Sequence, residues 1–291
     1  MEASDRRVAF CGLGIMGGPM AANLVRAGFE LFVYTRTREK AERFAAEHGG
    51  HAAASPAEAA RGAGTAVSMV PDTPEVEAVL LADDGAAAGM KEGDLCIDMS
   101  TIAPTATRAI GDRLGERGIA LLDAPVTGSR PKAEDGSLTI MVGGEDGAFD
   151  RALPLFEAMG ELVVHVGPRG HGEMVKLINN VLAAVNAAAL GEGLSLARAA
   201  GLDTDKLRQV IASGAGASTM LELKAEPMLE GDFEALFKLE HMLKDVRHCL
   251  AEARALGLDL ELAGTAERLY SAAADGGHGE DDFAAVVTAV K

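Results

Sequence analysis

The stretch VAFCGLGIMGGPMAANLVRAG, from Val8 to Gly28, decides the fold that this sequence predicts. Residues 8–14 read as a buried strand that runs into glycines, and residues 19–28 read as a helix. Between them GLGIMG forms a GxGxxG pattern, whose glycines permit a tight turn, close approach to a pyrophosphate and close helix–strand packing. With 35 glycines in the chain the pattern alone is weak. Its place between a strand and a helix favours a dinucleotide-binding loop over a plain strand–helix turn.

The rest of the chain divides into two parts with different patterns. Up to residue 167, helical patterns separate most of the apolar strand-like runs, which are 29–35, 65–70, 94–100, 120–125, 137–144 and 161–167. Such runs are typical of parallel strands joined by helical crossovers. From residue 168 no convincing strand is visible, and a long helix at about 172–201 precedes shorter ones. We therefore predict a doubly wound α/β Rossmann-type domain over 1–167 and an all-α domain over 168–291, joined by the long helix.

Composition limits the partners that we expect. The 291-residue chain has 27 Lys and Arg against 44 Asp and Glu, a net charge of −17. So acidic a protein has no long-range attraction for nucleic acid or an anionic membrane, and we expect neither as a partner. The N-terminal residues lack an apolar signal core, and no uninterrupted apolar run of about 18 residues follows, which predicts a cytoplasmic protein. The scattered Cys11, Cys96 and Cys249 are expected to be reduced structural thiols.

The residues after the second strand indicate which nicotinamide dinucleotide is favoured. An NAD site usually places Asp or Glu there, whereas this chain has Tyr34-Thr35-Arg36-Thr37-Arg38. A carboxylate would repel a 2′-phosphate, whereas Arg36 can form bidentate hydrogen bonds to one and Thr37 can add a hydroxyl donor. The alternative is that the two arginines merely begin a solvated helix. We interpret the segment as favouring NADP over NAD.

A polar group interrupts the start of the long apolar helix. The segment VKLINN, residues 175–180, precedes an alanine-rich stretch with almost no charge. Lys176 and Asn180 are four residues apart and therefore project from one face. Reduction of a carbonyl by hydride needs a proton donor for the developing alkoxide, a role that Lys176 can fill while Asn180 holds or orients the oxygen. The alternative is that Lys176 extends to solvent and the asparagines cap or pack.

Four separated motifs resemble the β-hydroxyacid dehydrogenase family, which includes 3-hydroxyisobutyrate dehydrogenase, tartronate semialdehyde reductase and glyoxylate/succinic semialdehyde reductase. They are GLGIMGGPMAANL (12–24), DAPVTGS (123–129), GHGEMVKLINN (170–180) and LKDVRHCLAEA (243–253), in order over nearly the whole chain. The resemblance implies that Lys176 is the catalytic acid/base and that Asn180 contacts the substrate. It also implies that Thr101 contacts the cofactor and that Lys244 reaches it from the helical domain. The long helix would then face an interdomain cleft with its first turns, and the protein would form homodimers or homotetramers.

Two features of these motifs leave alternatives open. Where the family commonly has S-G-G, which by the resemblance binds the substrate carboxylate, this chain reads Thr127-Gly128-Ser129. The serine either narrows the pocket or adds a donor. The continuation SRPKAEDGSL resembles the glyoxylate/succinic semialdehyde reductase branch, whose members favour NADPH, although its basic residues are equally compatible with a solvated loop. Lys244 is also compatible with a surface lysine, and we do not expect it to pair with Asp245, its neighbour on a helix.

The predicted site is therefore defined by three sets of residues. The catalytic candidates are Lys176 and Asn180, and the substrate-binding candidates are Thr127, Gly128 and Ser129. The cofactor-binding candidates are Gly12, Leu13, Gly14, Ile15, Met16, Gly17, Thr35, Arg36, Thr37, Val70, Pro71, Thr101 and Lys244. No metal site is predicted, because the seven histidines form no HExxH pattern and no CxxC occurs.

The predicted activity is NADPH-dependent reduction of small aldehyde or keto acids, of the glyoxylate and succinic semialdehyde type, to hydroxy acids. Hydride transfer would be coupled to a lysine general acid/base. One alternative within the same class of CH–OH oxidoreductases is a 3-hydroxyisobutyrate or other 3-hydroxy acid dehydrogenase that works oxidatively. A second alternative is a non-catalytic dinucleotide-binding scaffold. The presence of both Lys176 and Asn180 argues against the scaffold, which would need neither.

Overall fold

The structure is a computed structural model that describes residues 6–290, and its compact units divide between Lys176 and Leu177. The described part of the first unit contains the strands β1 (Arg7–Cys11), β2 (Glu30–Tyr34), β3 (His51–Ala52), β4 (Thr65–Ser68), β5 (Leu95–Asp98), β6 (Ala120–Asp123), β7 (Val126–Thr127), β8 (Leu138–Gly143) and β9 (Gly160–Gly167). Its helices are α1 (Gly17–Arg26), α2 (Arg38–His48), α3 (Pro56–Ala60), α4 (Thr73–Leu81), α5 (Ala86–Gly89), α6 (Pro104–Gly115), α7 (Ser129–Asp135) and α8 (Asp146–Glu157). A further helix, α9 (His171–Ala199), begins in this unit.

The strands of the first unit form one sheet in the order β3-β2-β1-β4-β5-β6-β8-β7, with β9 paired to β8. From β3 to β6 in that order all neighbours are parallel, whereas β8 runs antiparallel to β6. The parallel part has the strand order of doubly wound dinucleotide-binding sheets, which confirms the predicted Rossmann-type fold. Between β1 and β4 the direction of winding reverses, and ligands of such sheets bind at the carboxyl ends of the strands there.

Successive residues of the central strands face two separate cores. In β1, Val8 and Phe10 pack with Leu24 of α1, whereas Ala9 packs in the other core with Val76 of α4. A parallel sheet buried on both faces needs apolar residues at successive positions, which explains the continuous apolar runs in the sequence. The sequence does not predict β3 or β7, because a strand of two residues has no detectable periodicity.

The second unit consists of helices joined by short loops over its described residues. After the remainder of α9 it contains α10 (Thr204–Ser213), α11 (Thr219–Glu230), α12 (Leu239–Ala255) and α13 (Glu261–Ala273), then a π-helical segment (Ala274–His278) and a 3₁₀ helix (Phe283–Ala289). Its core packs small residues of α9, such as Ala184 and Ala187, with the large side chains of Tyr270 and Phe283. The prediction of an all-α domain after the α/β domain is confirmed.

Helix α9 is long and apolar enough to cross a membrane by length and composition alone, with a mean hydropathy of 1.4 over its most apolar window. No spanning segment is expected from the sequence. Core helices of globular proteins meet the same criterion, and Leu177, Ala184 and Ala187 of α9 are fully buried within this protein. The buried polar residues Lys176 and Asn180 also lie on this helix.

The three cysteines are free and buried, as predicted for reduced structural thiols. Cys11 lies in β1 and Cys96 in β5, whereas Cys249 lies in α12. Burial raises the pKa of the Cys11 thiol to about 12 and also raises the pKa of Cys96 and Cys249. Thiols with such raised pKa values carry little thiolate at neutral pH and are poor nucleophiles.

Candidate active site

The glycine loop after β1 is closely packed at both ends and open in the middle. Gly12 has φ +111° and donates its N–H to the Tyr34 carbonyl at 2.8 Å, and a Cβ there would overlap the carbonyl oxygen of Met69. A Cβ on Gly17 would overlap the carbonyl oxygen of Gly12. At Gly14 the space that a Cβ would occupy is open, with nothing within 4 Å. The first and third glycines are therefore required by packing, and the second leaves room for the phosphates of a dinucleotide.

Helix α1 begins directly after this loop. Its N-cap residue, Met16, makes no side-chain hydrogen bond to the N–H groups of the first turn, and that turn holds no acidic residue. The N–H groups of a first helical turn and the positive end of the helix dipole favour an anion, so no side chain of this turn competes with a pyrophosphate. The loop and helix thus fit a nicotinamide dinucleotide. Leu13, half-buried, and Ile15, exposed, complete the predicted loop.

The two arginines after β2 are in different situations. Arg38 donates from Nε to Oε1 of Glu42 at 2.8 Å, and this partner raises the pKa of Arg38. Arg36 is exposed and makes no ion pair with any residue between 6 and 290. Thr35 is half-buried beside it, and Thr37 is the N-cap of α2. Of the two guanidinium groups, the one at Arg36 is therefore the one available to a phosphate.

A pocket beside the glycine loop is lined by two basic side chains that were not predicted from the sequence as site residues. It is lined by Leu13, Gly18, Lys40, Arg43, Phe44 and Glu47. Lys40 and Arg43 lie on α2, which is rich in charged residues. Charge on an exposed helix normally indicates only a solvated face, so the sequence contains no clear signal for them.

A buried hydrogen-bond network joins the carboxyl ends of β4 and β5. Asp98 accepts hydrogen bonds at Oδ1 from Ser68 Oγ at 2.8 Å and from Ser100 Oγ at 2.6 Å. Ser100 Oγ in turn accepts the N–H of Val70 at 3.0 Å. Burial raises the pKa of Asp98, and the serine hydrogen bonds oppose that rise. The network fixes the predicted cofactor residue Val70, next to the exposed Pro71, and Thr101 directly follows Ser100.

The predicted substrate loop contains an unusual backbone conformation. Thr127 ends β7 and pairs with Thr139 of β8. Gly128 has φ +135°, and Ser129 has φ +58°, the one positive φ of a non-glycine residue between 6 and 290. A left-handed conformation costs an L-residue about 1–2 kcal/mol, and glycine adopts it freely. The commoner glycine at this position is thus explained, and Arg130 pairs with Glu134 one turn along α7, at 2.7 Å.

Lys176 lies in the second turn of α9 and is buried. The residue is 7% exposed. The alternative in which it extends into solvent therefore disagrees with the structure. Glu173 lies three residues earlier, on the same face of the helix, and is fully buried. Glu173 was not predicted as a site residue, although its spacing of three from Lys176 places both residues on one helix face.

In the second unit, Asn180 and Lys244 both contact Asp245. Asn180 donates from Nδ2 to Oδ2 of Asp245 at 2.6 Å, and Lys244 Nζ lies 3.2 Å from Oδ1. Asn179 donates from Nδ2 to Oδ1 of Asn180 at 3.2 Å. The expectation that Asp245 does not pair with Lys244 is wrong, because a lysine chain is long and flexible enough to reach a neighbouring carboxylate. Asp245 is 1% exposed and fixes the orientation of the Asn180 amide.

No group of three or more His, Cys, Asp or Glu side chains is arranged to hold a metal ion within residues 6–290. His171 is the exposed first residue of α9.

Comparison with known proteins extends these findings. Residues 7–167 match a family described as the NAD binding domain of 6-phosphogluconate dehydrogenase, and residues 170–290 match one described as NAD-binding of NADP-dependent 3-hydroxyisobutyrate dehydrogenase. The chain is 36% identical to 2-hydroxy-3-oxopropionate reductase of Escherichia coli over 98% of this chain and 97% of that protein. It is 32% identical to glyoxylate/succinic semialdehyde reductase 2 of Arabidopsis thaliana, over 100% of this chain and 81% of that protein. A structure of Mycobacterium tuberculosis 3-hydroxyisobutyrate dehydrogenase with L-serine matches with a TM-score of 0.88 and 32% identity, over 97% of each chain.

Proposed function

This chain belongs to the β-hydroxyacid dehydrogenase family of NAD(P)-dependent oxidoreductases, and we propose that it uses NADPH to reduce small aldehyde or keto acids to hydroxy acids. The proposed substrates are of the glyoxylate and succinic semialdehyde type. The observation that carries the proposal is a buried lysine, Lys176, one helical turn before a buried asparagine, Asn180. The presence of both residues on one face of α9 argues against a scaffold without catalysis, which would need neither.

The preference for NADPH rests on the end of β2. Arg36 is exposed there without an ion-pair partner among the described residues, and no acidic residue stands in the segment Thr35–Thr37. In the proposed complex Arg36 and Thr37 bind the 2′-phosphate, and the loop from Gly12 to Gly17 binds the pyrophosphate. Val70, Pro71, Thr101 and Lys244 are the other proposed cofactor contacts. The bound dinucleotide supplies the hydride.

The chain itself supplies the binding and the proton. The hydroxyl of Thr127 and the backbone N–H groups of Gly128 and Ser129 would donate hydrogen bonds to the substrate carboxylate. Lys176 would then donate a proton to the carbonyl oxygen as negative charge develops on it, and it would accept that proton in the reverse direction. Asn180 would hold the same oxygen through its amide.

A second direction of catalysis is supported by the likeness to a 3-hydroxyisobutyrate dehydrogenase structure over 97% of the chain. In that case the protein would oxidise a 3-hydroxy acid with NADP⁺, and Lys176 would act as the base. We further propose that the protein is cytoplasmic and forms a homodimer or homotetramer, as the family resemblance implies.

The proposed function is tested by initial rates of NADPH and of NADH oxidation with glyoxylate and with succinic semialdehyde. Fast oxidation of NADPH, and much slower oxidation of NADH, is the expected result. Equal rates with NADPH and NADH would contradict the proposal that Arg36 selects NADPH by binding its 2′-phosphate. If neither aldehyde reacts and 3-hydroxy acids reduce NADP⁺, the oxidative alternative is correct.

A further inference from the structure

The carboxylate of Asp123, the last residue of β6, faces the first turn of α9. Its Oδ1 accepts the N–H of Gly170 at 2.7 Å, and its Oδ2 accepts the N–H of Glu173 at 3.0 Å. Asp123 is fully buried, so water does not take the place of its carboxylate as the acceptor for these two N–H groups. The first N–H groups of a helix have no partner inside the helix, and a carboxylate at this end is favoured by the helix dipole. Asp123 therefore caps α9 from a different element of the fold.

The space around this carboxylate is closely packed. A Cβ on Gly143, in β8, would lie 2.6 Å from Oδ1 of Asp123. A Cβ on Gly172, in α9, would lie 2.5 Å from the carbonyl oxygen of Met141 and 2.8 Å from that of Asp123. Glycine at both positions lets the first turn of α9 approach β6 and β8 closely. The turn has little freedom to move while the two hydrogen bonds of Asp123 hold it.

The position of Asp123 connects two parts of the proposed site within the first unit. Lys176 lies three residues after Glu173 on α9, so it lies about one turn beyond the capped N–H. On the strand side of this contact, Thr127 of the proposed substrate loop lies four residues after Asp123 in the chain. One side chain thus holds the start of the helix that carries the proposed proton donor against the strand that leads into the proposed substrate loop.

We infer that Asp123 is a positioning residue, whose carboxylate sets the place of Lys176 relative to the loop Thr127–Ser129. The inference rests on the proposed function, in which Lys176 transfers the proton. A displacement of about 1 Å in a reacting group costs roughly 10²-fold in rate, so a cap that holds this helix start affects turnover without touching substrate.

The first test is Asp123→Asn, which keeps the size of the side chain but turns one acceptor oxygen into an NH₂ donor that faces a backbone N–H. The kcat for the aldehyde substrate is expected to fall roughly 10- to 100-fold, while the Kd for NADPH changes less than about 2-fold, since the variant leaves the glycine loop intact. Amide hydrogen exchange at Gly170 and Glu173 is expected to accelerate. Unchanged kcat in a folded variant overturns the inference.

A matched control removes a helix cap elsewhere in the same unit. Ser55 caps α3 by accepting the N–H of Glu58 at 3.1 Å, and it lies in none of the predicted site segments. Ser55→Ala is expected to lower the urea midpoint and leave kcat unchanged. If Ser55→Ala lowers kcat as much as Asp123→Asn does, the effect is one of general stability and the inference is wrong.

A double-mutant cycle separates positioning from structural damage. In a protein that already carries Lys176→Ala, Asp123→Asn should change kcat by less than about 2-fold, because the group that it positions is absent. A loss that multiplies with the loss from Lys176→Ala contradicts the inference. Full activity of Lys176→Ala alone contradicts the proposed function instead, so the two failures are distinguishable.

A second variant keeps the test decisive if Asp123→Asn does not fold. Gly172→Ala places a methyl group against the Met141 carbonyl oxygen and should displace the start of α9 while the carboxylate remains. Its control, Gly147→Ala in α8, meets nothing within 4 Å. We expect lower kcat in the first variant and normal kcat in the second. Normal kcat in both overturns the inference.

Discussion

Oδ2 of Asp245 accepts a hydrogen bond from Nδ2 of Asn180 at 2.6 Å, and both side chains are buried. Oδ1 of the same carboxylate lies 3.2 Å from Nζ of Lys244. A single buried carboxylate on α12 therefore holds both Asn180, the proposed substrate contact, and Lys244, the proposed cofactor contact. Neither partner is adjacent to the other in sequence, and Asp245 is what brings them together.

Replacing Asp245 by Ala should remove both interactions. We expect kcat/KM to fall roughly 10-fold or more, and the free energy of unfolding to fall by about 1–3 kcal/mol, because buried polar partners lose their acceptor. Steady-state kinetics and urea unfolding measure the two effects. Asp203→Ala is the control, because Asp203 is an exposed aspartate that caps α10. Loss of stability with unchanged kinetics would limit Asp245 to a structural role.

The two arginines after β2 should differ in their effect on cofactor binding. Arg36→Ala is expected to weaken NADPH binding roughly 10- to 100-fold, as the loss of charge-assisted hydrogen bonds to a phosphate implies, and to leave NADH binding unchanged. Arg38→Ala should change neither, because its guanidinium pairs with Glu42. Fluorescence titration with both dinucleotides checks this. Equal effects of the two substitutions would contradict the assignment of the 2′-phosphate to Arg36.

Ser129 allows a test of backbone strain. With φ +58° at this position, Ser129→Gly should be more stable than Ser129→Ala by about 1 kcal/mol, because only glycine adopts this conformation without a steric cost. Urea unfolding of the two variants measures the difference. Equal stability would show that the loop relaxes to another conformation in solution.

Asp98 predicts a specific dependence of stability on pH. Burial raises its folded pKa above that of the unfolded chain, so its contribution to stability is present below the unfolded pKa and is lost as pH rises through the folded pKa. Asp98→Asn removes this titration. The free energy of unfolding of the variant, minus that of the wild type, should therefore increase as pH rises from about 4. Urea midpoints at several pH values measure it, and a constant or falling difference contradicts the prediction.

Local pattern in the sequence was sufficient for most of the fold. The strands β1, β2, β4, β5, β6, β8 and β9 all correspond to apolar runs, and glycines mark the turn before α1, because these signals lie within one segment. The short strands β3 and β7 have no such signal. The change of pattern near residue 168 predicted two domains, and the two compact units of the structure divide between Lys176 and Leu177.

The side chains that support the site were harder to predict. Asp98, Asp123 and Asp245 each have a hydrogen-bond partner that lies tens of positions away, and one sequence contains no sign of those pairings. An aspartate at the carboxyl end of a buried parallel strand was nevertheless a usable signal for the first two, since such positions face ligand crevices. Lys244 was wrongly predicted not to pair with Asp245. Helical geometry constrains the positions of Cβ atoms more strongly than those of the ends of long side chains.

The most direct test of the central claim is the turnover of Lys176→Ala with succinic semialdehyde and NADPH, measured together with the Kd for NADPH. We predict a loss of roughly 10²- to 10⁴-fold in kcat with a nearly unchanged Kd, because the proton donor is removed and the cofactor loop is intact. Lys206→Ala, at an exposed lysine of α10, is the control and should be fully active. Turnover of Lys176→Ala within a few-fold of the wild type would contradict the assignment of Lys176 as the acid/base.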